Sequence, residues 1–222
     1  SLGEVVERID QHNEQLFRRF SVDRGGRLLS PSAINTWLSC RMKFYYRYVC
    51  GLKEPEGITD EIDPALLGTI LHEVMKRFYS GHRGKNVTAG EIDEILSDRK
   101  SIVKMTSAAI SEIFNREGDP EMAGNELIVN EVLMVYIGRI LEADRAHATF
   151  TVIDLESPVR FNIESGKDMI ITAGGKIDRV DRKGSVTRIV DYKTGTIAVS
   201  ITSLGDLFKD DRKKDADGWL QT

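Results

Sequence analysis

Hydrophobic residues in the first two thirds of the chain recur at the three- and four-residue spacing that gives a helix one apolar face. Ser30 before Pro31 is a typical helix start, because the serine hydroxyl can cap the first turn and proline is tolerated there. Gly118-Asp119-Pro120 separates the last two helical segments. The pattern predicts a leader helix over residues 3–20, a helix over 30–51, one that begins near 64, and two more over 90–115 and 121–146.

From residue 150 onward the hydrophobic period changes to the alternation of β-strands. Turn residues such as Ser165-Gly166 and Lys183-Gly184 divide this part into short segments. The predicted strands cover residues 150–155, 159–163, 169–172, 176–180 and 186–192. Helices followed by a meander predict an α/β (α+β) fold, with a central mixed β-sheet that has a β-meander core and is flanked by helices.

Composition and charge limit the class of protein without deciding its chemistry. The 222 residues suffice for one substantial domain, and 31 basic against 35 acidic residues give a net charge of −4, which is not the balance of a nucleic-acid coat protein. Two cysteines, Cys40 and Cys50, make no disulfide framework. No apolar run reaches the roughly 20 residues of a membrane span, and the N-terminus lacks a signal peptide's apolar middle. These features predict a cytoplasmic protein without a membrane partner.

The strongest local chemical signal is the last predicted hairpin, which carries Asp178, Asp191 and Lys193. Asp191 and Lys193 share a face, because strand side chains alternate. A two-residue loop at Lys183-Gly184, or a four-residue loop about the same centre, pairs Asp178 with Ile189. Asp178 is then diagonal to Asp191, roughly 7–8 Å away at the backbone. An odd-length loop would instead separate the two acids onto opposite faces.

Two carboxylates beside a lysine form a coherent hydrolytic site. Carboxylate oxygens are ligands that Mg²⁺ prefers. A neighbouring ammonium group can orient the attacking water or stabilise developing negative charge. Such a trio suits hydrolysis of a phosphodiester. The alternative is a solvated strand face on which Lys193 only pairs with Asp178 or Asp191.

Four motifs, in order along the chain, resemble the RecB-type (AddB-like) nuclease domain of the PD-(D/E)XK superfamily. Ile177 stands where other branches of the superfamily carry proline, as is usual in the RecB-type branch. The motifs are the serine-rich start at Ser30-Pro31-Ser32 with Cys40-Arg41-Met42-Lys43-Phe44, the Gly-x-x-x-His helix at Gly68 and His72, the Gly-x-Ile-Asp-Arg strand from Gly175 to Arg179, and the Asp-Tyr-Lys-Thr-Gly strand from Asp191 to Gly195.

The resemblance implies a restriction-endonuclease-like fold and a metal-dependent deoxyribonuclease, with exonuclease action expected and Mg²⁺ or Mn²⁺ as the cofactor. It implies that Lys193 is the catalytic lysine, acting with Asp178 and Asp191. Glu156, at the end of the first predicted strand, is a possible additional acidic residue, with a solvated surface glutamate as the alternative. The implied metal ligands are His72, Asp178, Asp191 and the backbone carbonyl of Tyr192.

The resemblance also sets expectations for the domain organisation. Residues 1–26 are expected to form a leader helix and residues 27–222 the nuclease domain. The family's Gln-x-x-x-Tyr helix is represented only by Gln221, so the chain is expected to stop inside the domain. Some relatives bind an iron–sulfur cluster through four cysteines, which this chain cannot assemble by itself. Cys40 is expected to pack as a small apolar side chain.

DNA contacts are expected from Arg41, Lys43 and Arg47, whose segment interleaves cations with aromatic residues. The alternative is an amphipathic helix with a solvated basic edge, and the aromatic rings are expected on its buried side. Arg179, near the site, is a further candidate phosphate contact.

Two functions of different classes follow. The first is a metal-dependent DNA nuclease that serves as the nuclease module of a recombination, repair or end-processing protein, with a helicase or another repair protein as a possible partner. The second is a non-catalytic DNA-binding or scaffolding module that keeps the nuclease fold. The acids count against the second, because like charges on one sheet face cost stability without a cation.

Overall fold

The computed structural model describes residues 14–22, 25–53, 64–117, 126–165, 169–195, 200–209 and 218. A short 3₁₀ helix, Leu204–Phe208, lies near the C-terminus. None of the described helices combines the length and apolar character that a membrane span requires. The helices are α1 (residues 14–20), α2 (Pro31–Ser39), α3 (Arg41–Phe44) continued by a π-helical turn (Tyr45–Val49), α4 (Pro64–Ser80), α5 (Ala89–Ser97), α6 (Arg99–Glu117) and α7 (Glu126–His147).

The described strands form a four-stranded sheet in the order β1-β2-β3-β4. The pairs β1–β2 and β3–β4 are antiparallel. The described α-helices precede the three longer strands along the chain, as the hydrophobic pattern indicates, and the combination of helices with a sheet confirms the predicted α/β class. The strands are β1 (Asn86–Val87), β2 (Phe150–Ser165), β3 (Met169–Lys183) and β4 (Val186–Val190).

Two long strands replace four of the predicted short ones, so the predicted breaks within β2 and β3 were wrong. Glycines interrupt the pattern at Gly174-Gly175, yet β3 continues through them. A Cβ atom on Gly174 would lie 2.2 Å from the carbonyl oxygen of Val159. Glycine is therefore needed here for close approach of the two strands and not for a turn.

The predicted helix over residues 30–51 is interrupted at Cys40, whose extended backbone ends α2 and begins α3. Cys40 is exposed, and its Sγ accepts a hydrogen bond from the Lys43 amide as a helix cap. It does not pack as an apolar side chain, which corrects the expectation. A similar break at Asp98, which accepts from the Ser101 amide, divides the predicted helix 90–115 into α5 and α6.

The chain divides into two compact units, and the division falls within β2 and β3. The N-terminal unit comprises residues 1–57, 158–176 and 197–222, and its core contains Phe20, Ala33 and Phe44. The central unit comprises residues 58–157 and 177–196. The predicted boundary at residues 26 and 27 stays a prediction, and Gln221 lies outside the described residues. The central core is built mainly from α4, α6, α7 and β2, with Leu71, Met75, Ile110, Leu133, Leu141 and Val152 among its buried residues.

Candidate metal centre

Helix α4 brings His72 against the chain that follows β4. A Cβ atom on Gly68 would lie 3.5 Å from Oγ1 of Thr194, an ordinary van der Waals contact, so α4 packs closely against this segment without requiring glycine at position 68. The Nε2 atom of His72 lies 2.8 Å from the carbonyl oxygen of Tyr192. Its Nδ1 atom lies 3.1 Å from Oδ1 of Asp178. One imidazole therefore joins two of the predicted ligand groups, a carbonyl and a carboxylate.

Asp178 on β3 is a buried carboxylate with two fixed partners. Its Oδ2 accepts a hydrogen bond of 2.7 Å from the Tyr192 amide. Burial alone would raise the pKa of Asp178, but hydrogen bonds from His72 and from this amide outweigh burial and lower it. The bond to Asp178 raises the pKa of His72, although burial acts against it. Asp178 is thus held as an anion.

Glu156 on β2 completes a trio with His72 and Asp178, whose ligand atoms lie within 4.8 Å of one another. Its backbone has a φ of 54°, in the left-handed region that residues other than glycine rarely adopt. Such a conformation costs of order 1–3 kcal/mol and is concentrated at functional sites. Glu156 is half-buried. The structure therefore places Glu156 beside His72 and Asp178, although the sequence had left a solvated surface glutamate as the alternative.

Asp191 and Lys193 lie beyond the end of β4 and pair with each other. The Nζ atom of Lys193 lies 2.8 Å and 2.7 Å from the two carboxylate oxygens of Asp191. This is the contact that the alternative of a simple ion pair expects. Tyr136 on α7 donates a hydrogen bond of 3.1 Å to the carbonyl oxygen of Thr194, the next residue along the chain. Asp191 is outside the trio in this structure, and its carboxylate holds the lysine instead.

The turn between β3 and β4 has an even length, as predicted, but its centre is one residue later. Lys183 pairs with Val186 across a two-residue turn at Gly184-Ser185, where Gly184 adopts a φ of 59°. The predicted pairing of Asp178 with Ile189 was therefore wrong. Extending the observed register by two residues beyond Val180–Ile189 places Asp178 beside Asp191.

Strand β4 also ends two residues before the predicted end at 192. The Tyr192 amide donates to the side chain of Asp178 instead of to a ladder carbonyl. The Tyr192 carbonyl oxygen lies 2.8 Å from Nε2 of His72. The strand end is thus shaped by the site residues themselves.

The donor set fits a hard or borderline divalent cation. Two carboxylates and one imidazole have ligand atoms near enough to converge on one ion. Oxygen ligands suit Mg²⁺ and Mn²⁺, and imidazole is a common further ligand for transition metals. A carboxylate kept ionised beside the histidine is the form that binds metal.

A family model for the PD-(D/E)XK nuclease superfamily matches residues 28–209 of this chain. The chain belongs to the PD-(D/E)XK nuclease superfamily. The matched region contains all the residues of the candidate metal centre. The resemblance first noted in four short motifs therefore extends over most of the molecule.

Several curated relatives of this superfamily member are named as one of the subunits of an ATP-dependent helicase/deoxyribonuclease. The protein from Clostridium acetobutylicum is 26% identical over 203 residues, which cover 83% of this chain and 17% of the relative. That from Carboxydothermus hydrogenoformans is 26% identical over 190 residues, covering 78% and 16%. That from Clostridioides difficile is 25% identical over 195 residues, covering 79% and 16%. The chain spans about one sixth of the length of these relatives.

Arg179, predicted to contact DNA phosphate in this nuclease-superfamily chain, is fully buried, which corrects that prediction. It donates to Oδ1 of Asp144 at 2.7 Å, and its Nε lies 3.1 Å from Oδ1 of Asp181. Its guanidinium lies 4.0 Å from the ring centre of Tyr79. A side chain committed to these partners in the core has no surface left for a phosphate. The adjacent Asp-Arg pair in the motif thus divides into a site residue and a core residue.

Arg188 on β4 completes this buried ionic group, which we call the Asp144 network: Tyr79, Asp144, Arg179, Asp181 and Arg188. Arg188 donates to Asp144 at 2.8 Å and to Asp181 at 3.1 Å. The Tyr79 hydroxyl donates to Oδ2 of Asp144 at 2.6 Å. The sequence motifs gave no indication of Asp144 or Arg188. The available signal was the charged pair Asp181 and Arg188, which face each other in the register of β3 and β4.

The remaining predicted DNA contacts lie in the N-terminal unit. Arg41, Lys43 and Arg47 are all exposed residues of the segment formed by α3 and its π-helical turn. The Arg41 guanidinium lies 5.3 Å from the ring centre of Trp37, which is 42% exposed. Tyr46 is 47% exposed, so the expectation that the aromatic rings of this segment are all buried was wrong. Tyr46 lies within the π-helical turn, where the 3.6-residue period behind that expectation does not apply.

Proposed function

We propose that this chain is a metal-dependent deoxyribonuclease that hydrolyses phosphodiester bonds at the candidate metal centre. The observation that carries the proposal is the trio of His72, Glu156 and Asp178, with ligand atoms within 4.8 Å of one another in a superfamily of nucleases. Exonuclease action with Mg²⁺ or Mn²⁺ is the form we propose. When bound, such an ion acts as a Lewis acid and makes water a stronger nucleophile.

The chain's own residues would divide the work as follows. His72, Asp178 and Glu156 would hold the cation, with the Tyr192 carbonyl and Asp191 as further ligands. His72 already contacts both Asp178 and the Tyr192 carbonyl. No large change of fold is therefore needed to gather these groups. The proposal takes Glu156 from a possible ligand to a full one, because its ligand atom lies within 4.8 Å of those of His72 and Asp178. Its left-handed backbone is also of the kind that is concentrated at functional sites.

Lys193 would be the catalytic lysine. Its ammonium is half-buried and held by Asp191, next to the Tyr192 carbonyl in the chain. A positive charge fixed in a partly dry site stabilises the negative charge that develops on the phosphate in the transition state. Asp191 orients this ammonium, so it serves Lys193 as well as the cation.

Cleavage of DNA in Mg²⁺ or Mn²⁺, with and without chelator, tests the proposal. Asp191→Ala and Lys193→Ala should each lower cleavage by about 100-fold or more, the size expected when one transition-state contact is lost. Lys104→Ala, which removes an exposed lysine on α6, is the control and should leave cleavage unchanged. Equal cleavage in chelator would contradict the metal-dependent mechanism.

Calorimetric titration with Mn²⁺ separates the nuclease from the non-catalytic scaffold. The nuclease predicts binding that Asp178→Asn abolishes. A scaffold predicts no binding that depends on these carboxylates. This measurement needs no activity, so it remains decisive if the chain alone cleaves slowly.

Arg41, Lys43 and Arg47 are proposed as contacts to DNA phosphates, since all three are cations at the surface of one short segment. Binding through phosphates is sensitive to salt, because each neutralised phosphate releases counterions. The triple alanine variant should bind DNA more weakly and with a shallower salt dependence. If the dependence of DNA affinity on salt concentration were unchanged, these three residues would not contact DNA phosphates.

The wider setting is proposed from the relatives' names. Proteins named as part of an ATP-dependent helicase/deoxyribonuclease match most of this chain. We propose that the chain serves as a nuclease module for recombination or repair in the cytoplasm, acting with a helicase partner or domain. Co-purification of a helicase activity with the full-length protein tests this assignment.

A further inference from the structure

Asp144 lies in the last turn of α7 and is almost fully buried, with 3% of its surface exposed. A carboxylate here is unfavourable by itself, because burial opposes charge and the C-terminal end of a helix carries negative partial charge. Three donors offset that cost: the Tyr79 hydroxyl, the Arg179 guanidinium and the Arg188 guanidinium, at 2.6, 2.7 and 2.8 Å. A buried carboxylate at position 144 is therefore tolerated only because these three donors surround it.

The three donors come from the same three elements that build the candidate metal centre. Tyr79 lies on α4, which carries His72. Arg179 lies on β3 directly after Asp178, and Arg188 lies on β4, whose continuation carries Asp191, Tyr192 and Lys193. One carboxylate thus fastens together every element that supplies a ligand or the lysine, apart from the strand of Glu156.

The geometry of α4 links the two places directly. His72 and Tyr79 are seven residues apart, which is close to two full turns, so they share one face of the helix about 10 Å apart. The helix is anchored on consecutive residues of β3, since His72 contacts Asp178 and Tyr79 stacks on Arg179. Any shift of α4 along β3 at Tyr79 therefore changes the distance between His72 and Asp178.

We propose that Asp144 is a positioning residue for the candidate metal centre, acting through Tyr79, Arg179 and Arg188. Buried ion pairs add little net stability compared with apolar side chains of the same volume. Instead they fix the relative positions of α4, β3 and β4, because these contacts can all form in only one register of the three elements. The inference rests on the proposed function, since it concerns the affinity of that same centre for its cation.

Tyr79→Phe is the most selective test, because it keeps the ring that stacks on Arg179 and removes only the hydroxyl bond that joins α4 to Asp144. Thr106→Val is the matched control. Thr106 is fully buried in the same unit, and its hydroxyl donates to the Ile102 carbonyl within α6 at 2.8 Å. Both variants lose one buried hydroxyl bond. Tyr79→Phe should lower Tm more, because its bond is to a carboxylate and that of Thr106 is to a backbone carbonyl.

Two readouts on the full chain distinguish positioning from simple loss of stability. The first is hydrogen exchange of the Tyr192 amide in metal-free protein, which reports the bond to Asp178 and should be faster in Tyr79→Phe than in Thr106→Val. The second is the Mn²⁺ dissociation constant from calorimetry. It should rise about tenfold in Tyr79→Phe, as for other groups that orient metal ligands, and stay within about twofold of wild type in the control.

The outcomes are separable. Equal Mn²⁺ affinity and equal Tyr192 exchange in the two variants would overturn the positioning role while leaving the proposed function intact. Faster exchange with unchanged Mn²⁺ affinity would also overturn it, because the network would then act on the fold and not on the centre. Absence of Asp178-dependent Mn²⁺ binding in the wild-type chain would instead overturn the proposed function, and this inference with it.

Discussion

The candidate metal centre and the Asp144 network differ in charge balance although they begin at consecutive residues of one strand. The network sets Asp144 and Asp181 against Arg179 and Arg188, so its four charges cancel. The centre and the adjoining Asp191–Lys193 pair together contain three carboxylates, from Glu156, Asp178 and Asp191, against one lysine and a histidine. A buried group balanced within itself serves structure, whereas an excess of acid next to solvent is poised for a cation.

Exposure differs in the same direction. Arg179 and Asp181 are fully buried, and of the network's charged groups Arg188 is partly exposed. In the centre Asp178 is buried, whereas the side chains of His72, Asp191 and Lys193 keep between about a quarter and a third of their surface open. Removing a charge should therefore have opposite consequences in the two places. In the network it should strongly destabilise the folded protein, and in the centre it should leave the fold intact and remove cation binding.

The largest expected effect is on stability. Arg179→Met leaves two buried aspartates with one arginine, and it should lower the free energy of unfolding by about 3–5 kcal/mol. Lys193→Met removes a cation from a half-exposed pair and should cost less than about 1 kcal/mol. Urea unfolding followed by circular dichroism measures both. Equal losses in the two variants would erase the distinction between the two groups.

The next effect is stabilisation by the cation. Mn²⁺ at 100 times its dissociation constant should raise the free energy of unfolding by about 2.7 kcal/mol through mass action. Asp178→Asn should abolish this gain. Asp93→Asn, which alters an exposed partner of Arg145, should retain it. A gain that persists in Asp178→Asn would place the cation elsewhere.

The ionised carboxylate of Asp144 should make the stability of the protein depend on pH in the acid range. Burial alone would raise the pKa of Asp144, but hydrogen bonds from Arg179 and Tyr79 outweigh burial and lower it. A lowered carboxyl pKa adds stability that is complete above the pKa of the unfolded chain, about 3.9, and is lost as pH falls below it, by up to about 1.4 kcal/mol per pH unit. Unfolding curves between pH 5 and pH 2, at roughly half-unit intervals, should fall less steeply in Asp144→Asn. A slope equal to that of wild type would contradict the assignment.

The smallest expected effect concerns Glu156. Glu156→Gly removes a side chain from a left-handed backbone and should raise the free energy of unfolding of metal-free protein by up to about 1 kcal/mol. Glu156→Gln keeps the strain and loses the charge. Both should weaken Mn²⁺ binding in calorimetry, whereas only the glycine variant should gain stability. A less stable glycine variant would show that the conformation is not strained.

Much of the candidate metal centre could be predicted, because its residues lie in short motifs with fixed spacing. The even length of the β3–β4 turn could be predicted from the alternation of side chains along the two strands. The register shifted because Gly184, not Lys183, takes the first place in the turn. A shift of the turn centre by one residue changes the register by two, so it preserves the parity on which the prediction relied. Asp191 itself lies beyond the end of β4, so the shared face of Asp178 and Asp191 stays a prediction.

The Asp144 network could not be predicted in the same way. Asp144 lies 35 residues before its partner Arg179, and nothing local marks either as buried. Charged residues on a strand normally indicate solvent, so the sequence predicts an exposed Arg179 that can contact DNA phosphate. Only tertiary packing of α4 and α7 on the sheet reveals that its charge is cancelled inside the protein. Likewise, the path of β2 through Glu156 depends on a backbone angle that composition does not encode.

The shared face of His72 and Tyr79 on α4 has a thermodynamic consequence. If tightening at one end of the helix strengthens ligand binding at the other, linkage requires the reverse with the same free energy. A bound divalent ion should then slow the local opening of the Tyr79–Asp144 bond by the same factor by which that bond improves the ion's affinity.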